Sequence, residues 1–145
     1  MKILHIIPSI SRKRGGPSTA ILNMVKALRV EGIDASILTT NDNVDYREDK
    51  MTLGQWFLHN EVPILMFPSL ETNSKLLREY LVSPLLSKWL SGNIGTYDAL
   101  HIHSIFSYTS TTSMLIARIK QVPYIVRTIG QLNTWSLSQI GRAHV

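Results

Sequence analysis

The chain has 145 residues, 44% of them hydrophobic and 17% charged, with a net charge of +5 and a pI of about 9.7. These are the proportions of one folded domain rather than of a disordered chain, and the positive excess favours anionic partners without choosing among nucleotides, nucleic acid and acidic lipid. The absence of cysteine excludes disulfides, thiolate nucleophiles and zinc–thiolate sites.

The basic residues are scattered apart from Arg12, Lys13 and Arg14, which argues against a nucleic-acid stripe. The apolar run after Lys2 stops at Pro8, too early for a signal-peptide core, and no stretch approaches the length of a membrane span. The expected compartment is the cytoplasm.

The first predicted element is a strand. Ile3, Leu4, Ile6 and Ile7 form a short apolar run of the kind covered on both faces in a parallel sheet, and Pro8 should end it. A basic turn follows, with Gly15 and Gly16 free to take angles that a Cβ would block and Pro17 suited to a first helical position. Ala20, Ile21, Met24, Val25 and Leu28 then recur at helical spacing, and Gly32 is a natural stop. A helix that starts here points free N–H groups and a partial positive charge at the strand end. With Arg12, Lys13 and Arg14 beside it, the turn suits a phosphate or diphosphate. The plainer reading is a tight turn with solvated cations.

Ile33–Thr39 reads as the second strand. Thr40–Asn60 is a long polar excursion, within which Trp56, Phe57 and Leu58 should pack back on the body. Val62–Phe67 is a third strand, which Pro63 assigns to an edge. Asn73–Leu90 is helical in pattern, and Pro84 should kink or split it. Its apolar face is either packed on the sheet or, with Lys75, Arg78, Lys88 and Trp89 alongside, laid on a membrane surface. Tyr97–His103 is a fourth strand, Ser110–Ile119 a helix with Met114, Leu115 and Ala117 as core, and Pro123–Thr128 a fifth strand. A further helix begins near Trp135. Alternating strands and helices predict an α/β, Rossmann-like, doubly wound and mainly parallel sheet, in which ligands sit at the carboxyl ends of the strands.

His103 lies at such an end and should reach the cleft as a hydrogen-bonding or charge-stabilising group. His101, two residues earlier on the same face, and His5 in mid-strand read as core histidines. A zinc pair of His101 and His103 lacks an evident third ligand, though Asp98 is near. Arg127, Gly130 and Gln131 leave the fifth strand at the same edge, where an arginine fork could bind phosphate or carboxylate. The first turn lacks Gly-x-Gly-x-x-Gly, and neither a Walker A pattern nor a Gly-x-Ser-x-Gly elbow occurs. Nicotinamide enzymes, P-loop NTPases and α/β-hydrolases are thereby disfavoured.

Lys2-Ile-Leu-His-Ile-Ile-Pro8, Gly15-Gly16-Pro17, Tyr97-Asp-Ala-Leu-His-Ile-His103 and Pro123-Tyr-Ile-Val-Arg-Thr-Ile-Gly130-Gln-Leu together resemble the amino-terminal half of a family 4 glycosyltransferase with the GT-B architecture. The resemblance runs from Lys2 to about Gln139. It implies retaining transfer of a sugar from a nucleotide diphosphate sugar to an acceptor, a glycan or lipid-linked one, with no cofactor and no metal. By it, Gly15 and Gly16 sit by the donor diphosphate, His103 contacts the transferred sugar, and Arg127 and Gly130 lie near the acceptor. Acceptor contacts fall on Asn41–Asn60 and Ile105–Thr109, and peripheral contact with the inner membrane face is an option.

The family's donor-binding half, with its paired glutamates, is absent from the sequence, and Gly141–Val145 fits the pattern poorly. The expectation is an acceptor-side domain over 1–145, incomplete at its C-terminus and inactive alone. The alternative reading is a non-catalytic Rossmann-like module for a nucleotide or anion, with a nucleotide-dependent oxidoreductase as a weaker third.

Overall fold

The computed structural model describes residues 1–42 and 52–143, with side chains described up to 138. Residues 43–51 of the polar excursion after Thr40, and the tail 144–145, fall outside the described residues. Six strands form one sheet: β1 (Lys2–Ser9), β2 (Asp34–Thr40), β3 (Trp56–His59), β4 (Val62–Phe67), β5 (Ala99–His103) and β6 (Tyr124–Arg127). Their order is β3-β4-β2-β1-β5-β6, parallel throughout except for the antiparallel β3–β4 pair. The helices are α1 (Gly16–Val30), α2 (Lys75–Tyr80), α3 (Pro84–Asn93), α4 (Tyr108–Lys120) and α5 (Thr134–Ala143). The α/β, Rossmann-like, mainly parallel sheet expected from the sequence is what forms.

Alternation along β1 divides the core in two. Ile7 joins Ile21 and Val25 of α1, with Ala35, Ile37, Ile64 and Met66, on one face. Leu4 and Ile6 join Leu86 and Leu90 of α3, Ala117 of α4, and Leu38, Leu65, Leu100 and Ile102 on the other. Each fully buried Leu or Ile contributes about 1.5–3 kcal/mol over leaving it in water, which holds both helix layers to the sheet.

The two prolines, the Trp56–Leu58 segment and α4 depart from expectation, and the split at Pro84 does not. Strand β1 runs through Pro8 to Ser9, because its register with β2 slips between Ile6 and Ser9, and this irregularity accommodates a residue without an N–H. Pro63 is not on an edge, since β3 covers that side. It can lack an N–H because the β2–β4 ladder begins only at Ile64. The residues Trp56–Leu58 form a strand rather than loop, closed on β4 by the two-residue turn Asn60–Glu61, both with positive φ. Within it Phe57 packs on the α1-side core, whereas Leu58 is exposed. In α4, Leu115 faces solvent while Ala117 is buried and Met114 packs at the margin. Asn73–Leu90 is split as Pro84 requires: α2 ends at Leu81 in the left-handed region, and α3 starts at Pro84.

Candidate functional site

Strands β1 and β5 are neighbours in the sheet, but the chain leaves them in opposite directions, to β2 on one side and β6 on the other. This is the switch point of the sheet, and a crevice opens at the strands' carboxyl ends there. The crevice is a cleft of about 220 Å³. One wall is Ile7, Pro8 and Ser9 of β1, with Arg14, Pro17 and Ser18. The other is Ser104, Phe106 and Ser107, backed by Ile129 and Gln131, and Glu79 and Leu81 at the end of α2 complete the lining.

The first wall is built by short-range hydrogen bonds. Ser9 Oγ donates to the Asp42 carbonyl at 3.1 Å and accepts from the Ser11 N–H at 3.1 Å. Ser11 in turn caps a single 3-10 turn, Arg12–Arg14, by accepting from the Lys13 N–H at 3.2 Å. Gly15, at φ 82, then redirects the chain into α1. Gly15, its N-cap, supplies no side-chain hydrogen bond to the first N–H groups of that helix. Arg14, half exposed, pairs with Asp42 at 2.8 Å at the cleft margin.

The second wall depends on a residue in a costly conformation. Ser104 directly follows His103 at φ 86, its N–H donating to the Arg127 carbonyl at 2.9 Å. Ile105 N–H donates to Gln131 Oε1 at 2.8 Å, which ties the two loops together. Ser107 caps α4 by accepting from the Ser110 N–H at 3.1 Å.

Beneath the cleft three imidazoles meet. His5 Nδ1 and His103 Nε2 are 3.3 Å apart, and the rings of His101 and His103 have centroids 4.1 Å apart. His5 and His103 are each 1% exposed, whereas His101 is only part-buried, the reverse of the depth expected for the β5 pair. Burial, then the neighbouring His101, lowers the pKa of His5 to about 4. Burial lowers His103 to about 3, with His101, His5 and Arg127 adding to the effect. His101 is lowered by burial and by Arg127. All three are therefore neutral near pH 7.

Of the residues singled out in the sequence, Arg14 and Gln131 line the cleft. Gly15 and Gly16 sit at its rim between Arg14 and Pro17. Arg12 and Lys13 are exposed and do not line it. His103 lies under the cleft rather than in its wall. Arg127 is its register partner on β6, and Gly130 (φ 79) turns the following loop. Phe106 and Ser107 fall within the Ile105–Thr109 stretch singled out for acceptor contacts, whereas sequence reading missed Ser9, Ser18 and Ser104. Their signal was positional, since each lies in or next to a strand-to-helix turn.

Compared with solved structures, the chain superposes over 98% of its length on MurG of Acinetobacter baumannii, a GT-B glycosyltransferase, with a TM-score of 0.53 and 17% identity. The fold is that of a GT-B half. The chain spans 39% of the MurG chain. No protein-family model matches it, and no curated protein matches it in sequence. Within the GT-B half the cleft at the β1–β5 switch point is the place to look for chemistry.

Proposed function

We propose that the chain is the acceptor-side half of a retaining, family 4-type glycosyltransferase, which moves a sugar from a nucleotide diphosphate sugar to a glycan or lipid-linked acceptor. The observation that carries this reading is the cleft itself. It sits at the switch point of a GT-B half, between the uncapped start of α1 with Arg14 and the β5–α4 turn. Glycosyl transfer leaves negative charge on the departing diphosphate. A helix N-terminus stabilises such charge by about 0.3–1 kcal/mol at an exposed site, and a cation beside it adds to this. His103, held neutral, serves as a hydrogen-bonding partner of the sugar rather than as a cation, and must exchange His5 for the substrate to do so. Arg127 and Gly130 serve the acceptor side, and transfer proceeds without a metal.

In the full-length protein carrying this domain, His103→Ala is expected to lower kcat with UDP- or GDP-sugars at least about a hundredfold. It also costs about 1–3 kcal/mol of stability, since His5 Nδ1 loses its partner. A variant that melts earlier but keeps kcat would reduce His103 to a structural role. Arg14→Ala is expected to raise the donor KM about tenfold. The 145-residue chain alone is expected to bind nucleotide without transferring sugar, and measurable transfer by it would refute the division of labour.

The burial of His103 favours a second reading, a non-catalytic module for a nucleotide or other anion. Nucleotide binding with no turnover by the full-length protein would select it.

The exposed face of α2 and α3 supports contact with a membrane. Leu76, Leu77, Tyr80 and Leu85 are exposed beside Lys75, Arg78 and Lys88. In this reading the protein works at the inner face, close to a lipid-linked acceptor.

A further inference from the structure

The sequence offered His101 and His103 as two ligands in search of a third, with Asp98 as the nearest choice. Asp98 is engaged at the opposite end of the strand, where it accepts the Lys2 N–H at 2.6 Å. The third group comes instead from β1. In the sheet, His5 is the register partner of His101, and both project from one face together with His103. One ligand nitrogen from each of the three lies within 4.8 Å of the others. We propose that His5, His101 and His103 form a binding site for a divalent transition-metal ion of zinc type, held by three imidazoles with its fourth position open toward the exposed side of His101.

Two observations carry this. First, the donor set is chemically selective: neutral imidazole nitrogens without a carboxylate suit Zn²⁺, Co²⁺, Ni²⁺ or Cu²⁺ and are poor ligands for Mg²⁺ or Ca²⁺. Second, the spacing is right for the closest pair. Nitrogens bound at tetrahedral zinc distances are about 3.3 Å from one another, which is the 3.3 Å found between His5 Nδ1 and His103 Nε2. The remaining pairs close up by rotation of His101, whose ring is only part-buried. Against the site, His5 Nε2 is buried with no hydrogen-bond partner among the described residues and gains none when Nδ1 binds the ion, so this ring lacks the outer support usual for a metal-bound histidine. Arg127 opposes the cation, as it already disfavours positive charge on His101 and His103. Affinity is therefore expected below that of a structural zinc site.

The site goes beyond the transferase reading and is tested without it; an ion bound there occupies His103, so the metal-bound and sugar-bound forms of that ring are alternatives. The chain is stripped with EDTA, dialysed and titrated with Zn²⁺ by calorimetry, and with Co²⁺ followed by its visible absorption. A variant with His59→Gln and His144→Gln removes the other two histidines and leaves the trio. It is expected to bind one Zn²⁺ per chain as tightly as the parent and to give the intense spectrum of four-coordinate Co²⁺. His101→Gln, chosen because its side chain is the least buried of the three, is expected to weaken Zn²⁺ at least tenfold. Loss of binding in the double variant, undiminished binding in His101→Gln, or only the pale spectrum of six-coordinate Co²⁺ would overturn the proposal. If His101→Gln fails to fold by circular dichroism, the stoichiometry and spectrum of the double variant decide alone.

Discussion

The buried imidazoles set the protein's response to acid. In the folded chain His5 titrates at about 4 and His103 at about 3, against 6.5 for both when unfolded. Between those limits the unfolded chain takes up protons that the folded chain refuses. Stability from this pair is therefore intact above pH 6.5 and is lost progressively as pH falls toward 4 and 3. The slope is at most about 1.4 kcal/mol per pH unit for each histidine. Urea titrations at pH 7, 6 and 5 in EDTA should show the decline, and His5→Gln should flatten it. A level profile in the parent over that interval would mean the imidazoles are not sealed from water. The sequence placed His101 and His103 on one face because strand periodicity is fixed. It could not show which was deeper, because that depends on what covers β5. At His101 the neighbouring register partner on β6, Ile125, is itself 64% exposed. It also could not show that His5 lies opposite His101, because register between strands far apart in the chain is not written in either strand alone.

At the scale of elements, long periodic stretches were legible and short two-sided ones were not. Helix α1 and its stop at Gly32 follow from apolar spacing and from backbone angles only glycine takes easily. The split at Pro84 follows from the missing N–H. Strand β3 escaped notice because its turn, Asn60–Glu61, carries a glutamate where hairpins ordinarily use glycine. Glu61 takes φ 68, a region that costs an L-residue about 1 kcal/mol. Its ion pair with Lys26 is exposed and returns little of that. Glu61→Gly is therefore expected to stabilise the domain by about 0.5–1 kcal/mol, read as a higher urea midpoint with unchanged slope. A lower midpoint would show that the pair with Lys26 outweighs the backbone. Both prolines that were misplaced, Pro8 and Pro63, sit where a ladder is locally interrupted, a detail of pairing that composition does not carry.

For the molecule as a whole, the exposed apolar and basic face of α2 and α3 predicts binding to vesicles containing anionic lipid and not to neutral ones, with loss at high salt. Leu76→Glu with Leu77→Glu should abolish sedimentation with vesicles and leave the fold intact by circular dichroism, since neither side chain is buried. Sedimentation unaffected by the pair would move the contact elsewhere. The cleft has a different sort of dependence on the fold. Its lining comes from three separate stretches, residues 7–18, Glu79 with Leu81, and residues 104–131, which meet only while the fold holds them there. Whatever fits between them delays melting, by about 2.7 kcal/mol at a hundred times its dissociation constant. A dye, a heating block and a shelf of nucleotides can thus rank the compounds this domain holds.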